Sequence, residues 1–329
     1  MNVVLNEPYI IVEIGNNHEG DFGNAIELIK ASKKAGASAA KFQTFIPELY
    51  HTQLDSGRME VLKRFQLSFQ EFEDLALFAR EIGLDFISTP FDFESLEFLG
   101  PMVDALKISS GDSVWLDFVE KASKFSAPLI ISTGATLNYE IEDSLKTAYK
   151  NKSQDSIYLL HCTSDYPAQE QNSNMSQFKT LTSMHDGPMG FSDHTKSNIA
   201  ALLAFSMGAK VFEKHITLDN NFSEFRDHQV ALNPADFLNY SASLKLASLS
   251  MGSMELSSAE EKIQKLIRRS PRAKYQIKKG DTVNGSDFYW VRPQESDIPY
   301  SFFNPEKSFL ATRDIQEHEL VYCRDLDGD

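Results

Sequence analysis

Short apolar runs that end abruptly in polar residues recur along most of this chain, separated by stretches of helical periodicity. The runs cover residues 9–15, 37–43, 85–89, 105–109, 128–133, 157–162, 190–195 and 211–216. Their length and their apolar, β-branched content predict strands. Apolar positions at three- and four-residue spacing predict helices over 24–35, 69–82, 93–99, 116–125, 139–149, 175–184, 197–206 and 234–248. Gly36 and Gly83 close the first two, as helix C-termini favour. The stretch after the second strand, past Tyr50 and Gly57, reads as a long loop. Strand–helix alternation demands a parallel sheet, and eight units favour a closed (β/α)8 TIM barrel over an open doubly wound sheet. The open sheet usually carries a glycine fingerprint after its first strand, and none is present there. The α/β barrel is expected over residues 1–250.

A different pattern follows. Residues 251–269 read as a polar, helix-prone linker, after which helical periodicity is lost. Ala273, Ile277 and Val283 recur at equal spacing as Ala311, Ile315 and Val321, among Pro and Gly turns. That half-repeat predicts a small β-rich domain over residues 270–329. A domain of that size without disulfides is marginal alone and is expected to pack against a barrel.

In a (β/α)8 barrel, functional side chains sit at the C-terminal strand ends. Read in order, those ends carry Glu13, Lys41 with Gln43, Ser88-Thr89, Lys107 with Ser109-Ser110, Ser132-Thr133, His161 with Thr163, Ser192 with His194, and Glu213 with His215. Stability alone gives no reason for this, since a buried charge costs on the order of several kcal/mol unless paired. The cluster predicts an enzyme with an anionic, polar substrate. Lys41 and Lys107, among hydroxyls, read as a phosphate or carboxylate site; the bland alternative is snorkelling to solvent. Glu13 either pairs with Lys41 or exchanges a proton with a substrate hydroxyl.

Alternation along a strand puts Ser192 and His194 on one face, and Glu213 and His215 likewise. One strand–helix–strand step separates the histidines, so two imidazoles and a carboxylate converge at one edge. The alternatives are a hydrogen-bonded core pair and a metal site with open coordination positions. Ligand type leaves Mn, Mg, Zn, Fe and Co open. Asp193 either orients a histidine or anchors its loop. His161 reads as a satisfied core histidine, Cys162 as packing on the opposite face, and His18-Glu19 as a helix cap or part of the mouth. His51, His185 and His318 read as surface residues.

Composition changes this picture little. Hydrophobic residues make up 42% and charged residues 24%, as in soluble globular proteins. A net charge of −15 argues against nucleic-acid and acidic-membrane partners, while leaving room for an anion held by lysines in a pocket. Two cysteines, Cys162 and Cys323, imply no disulfide framework and fit a reducing compartment. With no basic-then-apolar leader and no apolar run near the roughly 20 residues that span a bilayer, a cytoplasmic location is expected.

Taken as motifs, Glu13-Ile-Gly-Asn-Asn-His-Glu-Gly20, Lys41-Phe-Gln-Thr44, Ile87-Ser-Thr-Pro-Phe91, Lys107-Ile-Ser-Ser-Gly111, Ser132-Thr-Gly134, His161-Cys-Thr163, Gly190-Phe-Ser-Asp-His-Thr195 and Glu213-Lys-His-Ile-Thr217 resemble the sialic acid (N-acetylneuraminate, nonulosonate) synthase family. The tail is similar to that family's antifreeze-like SAF domain, a β-clip, through Trp290-Val-Arg-Pro293. The resemblance implies a transferase that condenses phosphoenolpyruvate with the open-chain aldehyde of an N-acylated hexosamine such as N-acetylmannosamine. Phosphate leaves by C–O cleavage. It implies catalytic roles for Glu13, Lys41, Lys107 and Glu213. Lys41, Gln43, Thr89, Lys107, Ser110, Ser132 and Ser192 would hold phosphoenolpyruvate, and Glu13, Tyr166, Asp227 and Arg292 the sugar. His194 and His215 would bind Mn2+ or Mg2+. Arg292 would reach from a partner subunit, implying a domain-swapped homodimer. The departures from the family fall on the sugar side: Ser164, Asp112 and the bulky, charged Phe222-Ser-Glu-Phe-Arg-Asp-His228. They bring in legionaminate- or pseudaminate-like hexosamines as alternatives, with a sugar-phosphate 3-deoxy-ulosonate synthase and a non-catalytic sugar-binding homologue behind them.

Overall fold

A computed structural model describes residues 1, 7–304 and 307–328. The chain divides into two compact units, Met1–Met251 and Gly252–Asp329. In the first, eight parallel strands close into a barrel in sequence order. They are β1 (Tyr9–Gly15), β2 (Ala39–Thr44), β3 (Asp85–Pro90), β4 (Ala105–Ile108), β5 (Leu129–Ser132), β6 (Ile157–Cys162), β7 (Met189–Asp193) and β8 (Val211–His215). The helices are α1 (Phe22–Lys34), α2 (Pro47–Tyr50), α3 (Ser56–Phe65), α4 (Phe69–Glu81), α5 (Phe93–Leu99), α6 (Leu116–Ser123), α7 (Asn138–Ala148), α8 (Ser176–Met184), α9 (Ile199–Ser206), α10 (Arg226–Val230) and α11 (Pro234–Ser250). The expected (β/α)8 barrel is therefore the fold of this unit.

Two apolar layers hold it. The larger lies between strands and helices, where Ile10, Val12, Phe42, Phe86 and Phe212 face α-helical residues such as Leu28, Leu75 and Phe237. The smaller fills the barrel axis with Tyr9, Ile11, Ala39, Ile87, Ala105, Ile130, Tyr158, Leu160 and Val211. Because both strand faces are covered, these strands read as continuous apolar runs rather than alternating ones.

The stretch expected as a loop after the second strand instead contains α2 and α3. Pro47 opens α2 at a position where its missing N–H costs nothing, and the Asp55 carboxylate caps α3 by accepting from the Arg58 N–H at 3.0 Å. Met59, Leu62 and Phe65 of α3 bury against Phe45. Their helical spacing was masked by Gly57 and the charged residues between them. The short helix α10 is a second element absent from the periodicity. His185, expected at the surface, is buried, with its Nδ1 2.7 Å from the Tyr149 hydroxyl and its Nε2 2.9 Å from the Ile157 carbonyl.

In the second unit the linker residues form α12 (Ser258–Ile267), capped reciprocally by Ser257 and Glu260. Beyond it lie β9 (Ser270–Ala273), β10 (Thr282–Val283), β11 (Phe288–Val291), β12 (Phe309–Ala311) and β13 (Leu326–Asp327), in a three-stranded and a two-stranded sheet. All six residues of the half-repeat are buried here. The backbone repeats with them. Ile277 and Ile315 exchange both N–H···O bonds at 2.9 Å; Gly280 N–H donates to Ala311 as His318 does to Ala273. Lys274 N–H donates to Asp287 as Thr312 does to Asp325.

Candidate active site

Register places the polar layer directly above the apolar plug. Glu13 of β1 pairs with Lys41 of β2 on one side and His215 of β8 on the other, and Ser192 of β7 pairs with Glu213. One cavity opens over this layer. Glu13, Lys41, Gln43, Thr89, Lys107, Ser110, Ser132, Tyr166, Ser192, His194, Glu213, His215 and Asp227 all line it. Every site residue expected from the first unit thus converges there. Arg292 follows β11 in the second unit.

At the floor, the Lys41 ammonium contacts the Glu13 carboxylate and lies 3.4 Å from both Glu213 and the Thr89 hydroxyl. Burial lowers its pKa to about 8, against the opposing pull of Glu213. Burial works to raise Glu213, but Lys107, Lys41 and the Ser192 hydroxyl at 2.8 Å together hold it below the usual carboxylate range. Lys107 has no ion-pair partner among the described residues; its Nζ donates to the Ile108 carbonyl at 3.1 Å. Ser132 Oγ is buried with no hydrogen-bond partner. Ser110 Oγ accepts from the Gly134 N–H at 3.0 Å, and a Cβ at Gly134 would fall 2.3 Å from Ser164 Oγ. A cation and several hydroxyls are thus turned toward one space, which suits an anion with several oxygens.

The opposite wall carries the histidines. Their ring centroids lie 5.7 Å apart, and Tyr166 packs 4.2 Å from His194. Burial lowers His194 to about 4 and His215 to about 3, so both are neutral near pH 7. His194 Nδ1 lies 2.7 Å from the Thr163 carbonyl; a carbonyl only accepts, so Nδ1 carries the proton and Nε2 keeps its lone pair. His215 Nδ1 is buried and unpartnered. Two neutral imidazoles with available lone pairs fit a divalent cation. Among the described residues no group of three or more His, Cys, Asp or Glu is placed to hold a metal, so these two histidines are the side chains that would hold one.

Of the two roles open to Asp193, the structure assigns anchoring. Its carboxylate accepts from the Thr195 N–H and hydroxyl, each at 2.8 Å, and pairs with Lys214 at 3.1 Å behind the barrel wall. Cys162 does not pack away from the site, contrary to what the alternation predicts. It lines the cavity, with Sγ 3.2 Å from Ser110 Oγ, whereas His161 turns outward and bonds the Ser173 carbonyl at 2.8 Å. In the run Ile157-Tyr-Leu-Leu-His-Cys162 both faces are apolar, so alternation carried no phase. The cavity also takes Tyr50, Arg58, Phe225 and Arg226 from α2, α3 and the segment at α10, elements absent from the helical pattern.

Comparison with known proteins agrees with this geometry. The sequence profile of the NeuB family matches residues 28–256. The N,N'-diacetyllegionaminic acid synthase of Legionella pneumophila is 34% identical over 92% of this chain and 90% of its own. The N-acetylneuraminate-9-phosphate synthase of Mus musculus is 30% identical over 95% of this chain and 91% of its own. Among solved structures, an N-acetylneuraminic acid (sialic acid) synthetase from Leptospira borgpetersenii superposes with a TM-score of 0.73 at 31% identity, covering 78% of this chain and 90% of that one. The chain is an enzyme and belongs to the NeuB family.

Proposed function

We propose that this enzyme is a nonulosonate synthase that condenses phosphoenolpyruvate with the open-chain aldehyde of an N-acylated hexosamine. Support comes from relatives named as legionaminic and sialic acid synthases, and above all from one observation. A lysine without an ion-pair partner, beside the unpartnered Ser132 hydroxyl, shares a single cavity with a pair of neutral histidines. One half suits the phosphate and carboxylate of phosphoenolpyruvate, the other an aldehyde oxygen.

C3 of phosphoenolpyruvate bonds to the aldehyde carbon, and the aldehyde oxygen takes a proton. Water adds to C2 and loses its proton, and the C2–O bond to phosphate then breaks. One phosphoenolpyruvate, one sugar and one water give one nonulosonate and one phosphate. Lys41, Lys107, Thr89, Ser110, Ser132 and Ser192, with Gln43, would hold the anion; Lys41 and Glu13, in contact, would exchange protons at the reacting oxygens. Glu213, 3.4 Å from Lys41, favours the charged form of that lysine and would help hold it in place. Tyr166 and Asp227 would face the sugar. Bound at His194 and His215, Mn2+ or Mg2+ would stabilise negative charge on the aldehyde oxygen as a Lewis acid. A homodimer in which Arg292 serves the partner's sugar site completes the reading.

The substrate within this class is open to one panel: N-acetylmannosamine, diacylated hexosamines and hexosamine phosphates, each with phosphoenolpyruvate and Mn2+, with product mass recorded. Phosphate release that requires an N-acylated hexosamine supports the proposal. Turnover only with simple aldose phosphates would reassign the enzyme to 3-deoxy-ulosonate synthesis.

A further inference from the structure

The mouth of the cavity carries two arginines that the reaction described above does not use. Arg58, on the first turn of α3, lines the cavity half-buried, and no hydrogen bond or ion pair engages its guanidinium among the described residues. Its backbone N–H alone is engaged, by the Asp55 cap. Arg226 opens α10 and lies with its guanidinium carbon 4.6 Å from the centre of the Tyr166 ring. Its Nε faces Asp227 at 3.6 Å, so the Nη edge of the fork stays free. Both arginines act electrostatically on Tyr50 and on Asp227, which places them around the same part of the mouth.

Packing contacts brace both arginine-bearing segments. Phe225, just before Arg226, packs edge-on against Phe65 of α3 at 4.9 Å, tying the two arginine-bearing helices together. Gly20 seats the first loop against α3, where a Cβ would fall 1.9 Å from the Arg64 carbonyl, and Glu19 of that loop bonds the Ser223 hydroxyl. A guanidinium without a partner, on a braced helix and facing a reaction cavity, is a ligand-binding group. Phosphoenolpyruvate is accounted for by the lysines and hydroxyls at the floor. The free forks at the mouth address what projects from the sugar.

We infer that Arg58 determines sugar specificity by binding an oxygen-acceptor substituent at the end of the hexosamine remote from its aldehyde, with Arg226 as a positioning residue. That acceptor is a phosphate ester or the carbonyl of a second acyl group. Arg58 binds it directly, while Arg226 sets Tyr166 and Asp227 against the sugar. The inference rests on the synthase reading.

Steady-state kinetics of Arg58→Ala, Arg58→Lys and Arg226→Ala, with folding checked by thermal melting, test it. The substrates are N-acetylmannosamine, a diacylated hexosamine and a hexosamine phosphate. Loss of a charge-assisted hydrogen bond should raise KM for the preferred sugar roughly 10- to 100-fold, with KM for phosphoenolpyruvate within about twofold. The sugar without the remote acceptor should be nearly indifferent to Arg58→Ala. Arg58→Lys separates the two sources, since a lysine still serves a phosphate as a point charge but loses the fork geometry at a carbonyl. Unchanged sugar KM in both alanine variants overturns the inference, as does an equal rise for phosphoenolpyruvate. Absence of wild-type turnover with every hexosamine would instead remove the synthase reading itself.

Discussion

At the scale of single residues, Lys41 is the group most exposed to test. In the proposed reaction its ammonium holds the anion and exchanges protons, and burial has brought its pKa to about 8. kcat/KM for phosphoenolpyruvate should therefore fall as pH rises through about 8 in the free enzyme, where an ordinary lysine would show no limb until near 10.5. A profile flat from pH 7 to about 9 would contradict that role. His18 offers a stability test of opposite sense. Its Nδ1 accepts from the Gly20 N–H at 3.0 Å, its Nε2 is unpartnered, and burial lowers its pKa from 6.5 to about 4. Below pH 6.5 the unfolded chain binds the proton and the folded chain does not, so stability drops as pH falls from 6.5 toward 4. Urea denaturation should show His18→Gln flattening that slope; an unchanged slope would assign the acid sensitivity elsewhere. The lysines, glutamates and histidines of the site were legible from sequence because charged and polar groups at successive strand ends around one barrel are costly to bury unless they serve a ligand. Arg58 was not, because an arginine between Gly57 and Met59 in a polar stretch looks like any solvated side chain.

At the scale of elements, the site depends on how β7 and β8 are clamped. Asp193 and Lys214 stand opposite each other in register, both fully buried, and each immediately precedes one of the two histidines. Removing one partner leaves a buried charge alone, so Lys214→Met should cost about 3–5 kcal/mol in chemical denaturation. Replacing both by apolar residues of similar volume should recover much of that loss, and failure to recover would mean the pair does more than satisfy itself. In the second unit, Ile277 and Ile315 bridge the two half-repeats, so Ile315→Ala should destabilise that unit by about 2–5 kcal/mol. The barrel strands were legible because parallel strands covered on both faces must be apolar throughout. For the same reason the facing of Cys162 was not, since an uninterrupted apolar run carries no alternation. Helices α2, α3 and α10 escaped because they are short or interrupted, and are held by contacts with one another and with neighbouring loops rather than by a long apolar stripe.

At the scale of the whole molecule, the lysines and hydroxyls proposed to hold the anion and the pair of imidazoles line one barrel mouth, over an apolar plug. No helix among the described residues is long and apolar enough to cross a membrane. If Arg292 serves a partner's sugar site, Arg292→Ala should raise sugar KM at least about tenfold while leaving phosphoenolpyruvate binding intact, and the protein should sediment as a dimer. A monomer with full activity would remove that role. In the proposed reaction phosphoenolpyruvate is joined to a hexosamine with cleavage of its C–O bond. Phosphoenolpyruvate labelled with 18O at the bridging oxygen, incubated with enzyme, hexosamine and Mn2+, tests it in one mass spectrum. The label should leave entirely with phosphate, only when the sugar is present, and not after EDTA treatment. Label retained in the sugar product, or phosphate released without sugar, would contradict it.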